Sequence, residues 1–307
     1  FSCAMDGQGQ VWCWGLNAQG QVGVNSEQGM FLSPQLVGGT YSDIKGGDDI
    51  VCGLRVNKTV FCWGALGNRR ASATINGIKY SYFAFRRAPE PLGDIKCSAS
   101  CNTVPTEEIQ SFAVGGDHAC VLSGGKVWCF GSNQFAQFGN GKSNPTSQYD
   151  LSSIPISGAV ALSAGAFTTA VTVSTADPAS SKVLAWGRDE TSFSSNGLTL
   201  NPKDLPPIPS KATLHLGERL TATVSLGQLV LAGRNDTGQL ANNSTSPGTY
   251  GLNSPSLVDV ADVSYWKETV CAWQSGNSLW CWGANTSGAA GTGDLKSPLL
   301  VPTPVKW

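Results

Sequence analysis

Residues 111–131 read Ser-Phe-Ala-Val-Gly-Gly-Asp-His-Ala-Cys-Val-Leu-Ser-Gly-Gly-Lys-Val-Trp-Cys-Phe-Gly. Two apolar runs flank the polar turn Ser123-Gly124-Gly125-Lys126, which is the pattern of a β-hairpin. Side chains on a strand alternate between faces, so Cys129 points away from Trp128 and Phe130. Its counterpart Cys120 sits on the preceding run. Opposed residues of an antiparallel hairpin bring their Cα atoms to about 4.5 to 5.5 Å, within disulfide range.

The unit recurs. Its centre reads Val11-Trp12-Cys13-Trp14-Gly15, Val60-Phe61-Cys62-Trp63-Gly64, Val127-Trp128-Cys129-Phe130-Gly131, Val183-Leu184-Ala185-Trp186-Gly187, Leu229-Val230-Leu231-Ala232-Gly233 and Leu279-Trp280-Cys281-Trp282-Gly283. The centre glycines lie 49, 67, 56, 46 and 50 residues apart. A polar, Gly-rich tail follows several copies, as in Leu16-Asn17-Ala18-Gln19-Gly20-Gln21-Val22-Gly23. No apolar period of 3.6 is sustained, so little helix is expected. Short strands repeated at this interval predict an all-β fold: a β-propeller of four-stranded blades. Six repeats are countable, so the propeller has six or seven blades. Cys3 belongs to a hairpin whose preceding strand is absent, and Pro302 to Trp307 read as the lead-in to that strand. The ring is therefore expected to be closed by both termini, with residues 1–307 as one propeller domain and 69–108 as an insertion.

Ten cysteines stand at 3, 13, 52, 62, 97, 101, 120, 129, 271 and 281. The spacing predicts Cys3–Cys13, Cys52–Cys62, Cys120–Cys129 and Cys271–Cys281 as hairpin disulfides, with Cys97–Cys101 as a small loop disulfide. Zinc is the rival, but zinc favours short Cys-x-x-Cys knuckles. The repeats test the pairing internally. A gapless alignment puts Ala222 and Leu231 at the places of Cys120 and Cys129, and Ala170 and Ala185 fall there in the fourth unit. Both partners are lost together, as expected of one bond. Paired cysteines indicate an oxidising compartment. Asn-x-Ser/Thr patterns at Asn57, Asn235, Asn242, Asn243 and Asn285 make these candidate glycosylation sites in agreement with it.

The run hydrophobic-Cys-Trp-Gly-x-Asn-x-x-Gly-Gln-hydrophobic-Gly, seen here as Cys13 to Gly23, resembles the regulator of chromosome condensation repeat. So does Gly115-Gly116-Asp117-His118. The resemblance covers nearly the whole chain and is weakest from Arg69 to Ile109. It implies a propeller, usually of seven blades. The paired cysteines are similar to those of the extracellular propeller of plant Crinkly-type receptor-like kinases, which implies a receptor-like ectodomain.

Charged residues make up 13% and the net charge is -1. That argues against a nucleic-acid or anionic-membrane surface. No run of 18 apolar residues is present, so no membrane insertion is expected within this chain. No leader-like segment opens the sequence, which starts inside a repeat and reads as a trimmed domain. His118 and His215 are the only histidines, both on strands, and read as structural. Gly139-Asn140-Gly141-Lys142-Ser143 imitates the end of a phosphate-binding loop, but Ala136 stands where its first glycine belongs. Asp189 and Glu190 are adjacent, so on a strand they face opposite ways. The repeated Trp and Phe residues read as packing between blades. No catalytic set, cofactor or metal site emerges.

The function read from the sequence is an extracellular, non-enzymatic binding or assembly module at the cell surface. A receptor ectodomain, an adhesin and a structural component are its forms. The alternatives are an intracellular guanine-nucleotide exchange factor, by fold analogy, and a glycan-binding lectin. The expected partner is a protein or peptide, with glycan or self-assembly as further options. Arg69, Arg70, Tyr82, Phe85, Arg86 and Arg87 lie in the insertion. Arg and aromatic side chains are favoured at interfaces, so these six are the candidate binding residues.

Overall fold

The computed structural model describes residues 1–65, 71–75, 78–82, 85–91, 109–143, 152–188, 198–217, 220–266, 268–276, 278–286 and 290–305. These residues form strands and turns and no helix. The first sheet holds β1 (Ser2–Met5), β2 (Val11–Leu16) and β3 (Met30–Val37). The second holds β4 (Tyr41–Gly46), β5 (Ile50–Arg55) and β6 (Val60–Ala65). A separate hairpin of β7 (Ala71–Ile75) and β8 (Ile78–Tyr82) follows, and β9 (Phe85–Pro91) then completes the second sheet.

Each later sheet has four strands in sequence order. The third is β10 (Ser111–Val114), β11 (His118–Ser123), β12 (Lys126–Gly131) and β13 (Ser152–Pro155). The fourth is β14 (Ala159–Ala164), β15 (Thr168–Ser174), β16 (Ser180–Arg188) and β17 (Leu198–Pro209). The fifth is β18 (Thr213–Leu216), β19 (Leu220–Ser225), β20 (Gln228–Asn235) and β21 (Ser246–Asn253). The sixth is β22 (Val260–Trp266), β23 (Thr269–Gln274), β24 (Ser278–Gly283) and β25 (Leu299–Pro304). Six repeat sheets are thus present among the described residues, the first with three strands rather than four.

The chain divides into two compact units. One is Phe1–Val171 with Ala185–Gly187 and Leu198–Lys203; the other is Thr172–Leu184 with Arg188–Gly197 and Asp204–Trp307. In the first unit Val11, Val22, Val37, Tyr41, Val51 and Trp63 form one buried cluster, and Ile50, Phe112, Val114, Val121 and Phe130 belong to another. In the second unit Leu220, Leu229, Leu231, Val263, Val270 and Trp282 pack together.

Register explains the cysteine spacing. Cys3 faces Cys13, Cys52 faces Cys62, Cys120 faces Cys129 and Cys271 faces Cys281, each across a middle hairpin. All four pairs are disulfide-bonded. In the fifth sheet Ala222 faces Leu231 at the same register, and both are fully buried. The apolar pair fills the space that a disulfide fills elsewhere. Cys97 and Cys101 lie outside the described residues.

The repeat glycine after each centre has a steric cause. Gly131 has φ +99°, and a Cβ there would stand 2.6 Å from the Asp117 carbonyl oxygen. Gly64 has the same relation to Asp49, and Gly283 to Glu268. No L side chain fits that place, because the turn before the second strand closes over it. Every outermost strand carries proline: Pro34, Pro89 and Pro91, Pro155, Pro202, Pro247, Pro302 and Pro304 are among them. Proline lacks the N–H that would pair with a further strand, so these edges resist association with other chains.

One boundary differs from the sequence reading. Phe85–Pro91 was expected within the insertion, yet it pairs with β6, Gly64 opposite Arg86 and Ala65 opposite Phe85. A repeat needs an outer strand. The hairpin of β7 and β8 is inserted ahead of it and displaces it along the chain, which explains much of the long 67-residue interval.

Candidate functional site

Among the described residues, four of the polar tails that follow the repeat centres are built by one asparagine each. Asn17 Oδ1 accepts the N–H of Val22 at 3.0 Å, and its Nδ2 donates to the carbonyls of Gln28 and Ser26. Asn133 Oδ1 accepts from Phe138, Asn235 Oδ1 from Leu240, and Asn285 Oδ1 from Ala290, at 2.9, 2.9 and 3.0 Å. The spacing is five residues in all four. Each asparagine is buried, and its amide meets the backbone groups that the loop would otherwise leave unpaired.

A glutamine completes the tail. Gln21, Gln137 and Gln239 are buried, and each accepts through Oε1 the N–H of the residue two before it, at 2.8 Å. This fixes the direction of the glutamine's own carbonyl. That carbonyl accepts the indole N–H of a tryptophan in the next sheet: Trp63 to Gln21 at 3.1 Å, Trp186 to Gln137 at 2.7 Å, Trp282 to Gln239 at 2.8 Å. All three indoles are essentially fully buried. Gly139 has φ +63°, and a Cβ on it would lie 2.8 Å from the Trp186 ring. The tail and the ring are in close contact only because that position lacks a side chain.

His118 joins the same node. Thr169 Oγ1 donates to the Gln137 carbonyl at 2.8 Å and lies 2.8 Å from His118 Nε2. A hydroxyl has one proton, so Nε2 carries the proton and donates to Thr169. Burial with no counter-charge depresses the imidazole pKa to about 3. The histidine is a neutral donor that holds a threonine, and the threonine holds the glutamine carbonyl.

Backbone contacts extend the arrangement within the first unit. Asp48 N donates to the Gly116 carbonyl at 3.1 Å, and Gly116 N to the Ala166 carbonyl at 3.1 Å. Lys45 Nζ donates to the Phe112 carbonyl at 3.1 Å and stands over the Phe112 ring. The phosphate-loop imitation belongs to a tail as well. Gly141 N donates to Leu200, Lys142 N to Asn140 Oδ1, and the Lys142 carbonyl accepts from Asn133. Its Gly141 and Lys142 amides are thus committed to protein acceptors. His215 lies 3.5 Å from Asp262 and 3.3 Å from Thr213 Oγ1, at a partly exposed strand surface.

Two of the sequon asparagines, Asn235 and Asn285, lie inside the tails. Asn235 is 1% exposed and Asn285 is 0% exposed. Asn235 Nδ2 donates to Asn242 Oδ1 and the Ser244 carbonyl, and Asn285 Nδ2 to Thr292, Asp294 and Lys296. A glycan on either nitrogen would break the loop that the side chain organises. Asn57, Asn242 and Asn243 are exposed. Of the candidate binding residues, Arg69 and Arg70 lie outside the described residues. Tyr82 ends β8, while Phe85, Arg86 and Arg87 stand on β9, and the side chains of these four are likewise outside the description. The clamp of Gln and Trp went unread in the sequence. Its signal was there: a tail glutamine is followed one repeat later by a centre tryptophan.

Residues 109–137 match the regulator of chromosome condensation (RCC1) repeat. Protein pim1 of Schizosaccharomyces pombe is 26% identical over 99% of this chain. The chain spans 61% of that relative's length. The solved structure of Prp20p from Saccharomyces cerevisiae superposes with a TM-score of 0.75 at 19% identity, covering 99% of this chain and 74% of the other. Human WBSCR16 superposes with a TM-score of 0.69 at 19% identity, over 97% of this chain and 76% of that one. The fold is an RCC1-type β-propeller. The matched segment contains His118 and Gln137 of the node just described, while Thr169 and Trp186 lie beyond it.

Two outcomes are expected of this node. Trp186→Phe removes one buried hydrogen bond and part of a ring, and is expected to cost about 2 kcal/mol in urea unfolding. The same change at half-buried Trp12 is expected to cost less. His118 gives a pH dependence. Its pKa is lower folded than unfolded, so the unfolded chain takes up the proton first as pH falls. Stability is complete above about 6.5 and declines from there towards about 3, by about 1.4 kcal/mol per pH unit from this group. Unfolding of the wild type and His118→Gln across pH 4 to 7 checks it: the difference between the two should carry that slope.

Proposed function

We propose that the chain is a non-enzymatic, protein-binding propeller of an oxidising compartment, extracellular or at the cell surface. The observation that supports the compartment is the set of four cross-strand disulfides at one register. Cytosol and nucleus keep such thiols reduced. The binding reading is supported by the chemistry of the frame. His118, Thr169, Gln137 and Trp186 are engaged with one another and the latch asparagines with the loop backbone, which leaves outer loops and the insertion to meet a partner. The hairpin of β7 and β8, with Arg69, Arg70, Tyr82 and the neighbouring Phe85, Arg86 and Arg87, is the proposed contact.

A second reading has its own support, and the relatives favour it over the first. It is the intracellular guanine-nucleotide exchange factor. The Prp20p structure is described together with binding to Gsp1p and histones, and yeast RCC1 (Prp20) has been solved bound to Kap60. Those are protein partners, in keeping with a protein ligand under either reading. The two readings differ in the redox state of the thiols. Alkylation of denatured protein from its native source is expected to find the eight hairpin cysteines blocked. Ten free thiols, together with accelerated release of guanine nucleotide from a GTP-binding partner, would establish the second reading instead.

The contact has its own test once a pull-down has supplied a partner. Replacing Arg69, Arg70, Arg86 and Arg87 by Ala is expected to weaken binding at least tenfold, about 1.4 kcal/mol. Unchanged affinity with an unchanged circular dichroism spectrum moves the contact to another face.

A further inference from the structure

We propose that Asn57 carries an N-linked glycan and that Asn235 and Asn285, which share its three-residue pattern, carry none. The inference rests on the reading of the chain as a protein of the secretory compartment.

Asn57 lies on the turn between β5 and β6, where the chain reads Arg55-Val56-Asn57-Lys58-Thr59. Lys58 N donates to the Arg55 carbonyl, and Arg55 N to the Thr59 carbonyl, both at 2.9 Å. The turn lifts Val56, Asn57 and Lys58 into solvent. Thr59 N donates to Asn57 Oδ1 at 3.2 Å, and the Thr59 hydroxyl is hydrogen-bonded to the same oxygen. Both groups draw electron density onto Oδ1. That acidifies the Nδ2 protons, which makes an ordinarily inert carboxamide nitrogen easier to turn into a nucleophile. Among the described residues nothing engages Nδ2.

The step balances with a named donor, an oligosaccharide carried on a lipid pyrophosphate. Nδ2 attacks the anomeric carbon, and a C–N bond forms. The bond from that carbon to the pyrophosphate oxygen breaks, and the lipid pyrophosphate leaves with the electron pair. One Nδ2 proton passes to a base of the transferase. The product is a neutral glycosyl amide at a place where a bulky, hydrated group meets only solvent.

The other sequons are arranged differently. Asn235 and Asn285 use Nδ2 as a donor inside their loops, and Oδ1 accepts the N–H five residues on. Asn242 is exposed, but the hydroxyl of its Ser244 turns to the Thr245 carbonyl and its Oδ1 accepts from Asn235. Among the described residues, it is at Asn57 that the residue two places on hydrogen-bonds to the amide while the nitrogen stays open.

The experiment expresses the chain behind a secretory leader in a eukaryotic cell. Peptides are then mapped after a glycosidase that turns a glycosylated Asn into Asp. Conversion is expected at 57 and not at 235 or 285. Asn57→Gln and Thr59→Ala, which break the pattern from either end, are each expected to lose one glycan's worth of mass. Unmodified Asn57 in secreted, disulfide-bonded protein overturns the proposal, and so does conversion at Asn235 or Asn285. The leader forces the chain through the lumen, so this failure is distinct from that of the compartment reading, which fails instead if protein from the native source holds ten free thiols.

Discussion

The indole N–H that one sheet donates to a glutamine carbonyl of the sheet before it is the constraint on which the repeat depends. Trp63, Trp186 and Trp282 make this bond with essentially no exposure to water. A buried indole without a partner would forfeit about 1 to 3 kcal/mol. The carbonyl must therefore be aimed, and the tail exists to aim it. Asn17, Asn133 and Asn235 fold the tail by catching an N–H five residues on. Gln21, Gln137 and Gln239 lock its last turn. In the sequence the partners change together across repeats. Where Arg70 or Phe193 stands in place of the glutamine, the next centre holds Phe130 or Ala232, neither of which has an N–H to donate.

The disulfides are of a different kind. They close loops of about ten residues, each worth about 2 to 3 kcal/mol in the chain-entropy view. The fifth sheet does without one, since Ala222 and Leu231 fill the same register as an apolar pair. The frame thus folds with either solution. A chain of this length can bury a core large enough to fold without staples. The bonds add stability to the architecture and are not a requirement of it. Prolines on the outer strands act by hindering association at exposed edges.

Much of this was legible in the sequence, because hairpins are local. The alternation around Cys129 and the turn before it gave both the strand pair and the bond. What escaped was contact between distant repeats. His118 and Thr169 are 51 residues apart and Trp186 and Gln137 are 49 apart. No local period encodes either. Phe85–Pro91 escaped because it is Arg-rich and separated from its repeat by an extra hairpin, so nothing beside it marked it as a frame strand. Asn235 and Asn285 are ambiguous in the sequence for a chemical reason. The latch asparagine and the glycan acceptor share the same short pattern, and only the residue five places on, Leu240 or Ala290, distinguishes the latch.

That division also limits what likeness to other propellers can carry. Superposition covers 99% of the chain at 19% identity with Prp20p. The latch and the turn glycine serve the frame, and the clamp serves the repeats that carry its Gln and Trp, whatever the chain binds. Agreement at those places therefore follows from architecture alone. The polar groups of the frame meet one another: His118 meets Thr169, and Thr169 meets Gln137. None of that chemistry is open to a ligand. The proposed contact accordingly lies in parts that these bonds leave free, the hairpin tips and the inserted β7 and β8. A shared propeller is accordingly evidence about how this chain is built, while its partner has to be argued from those outer segments.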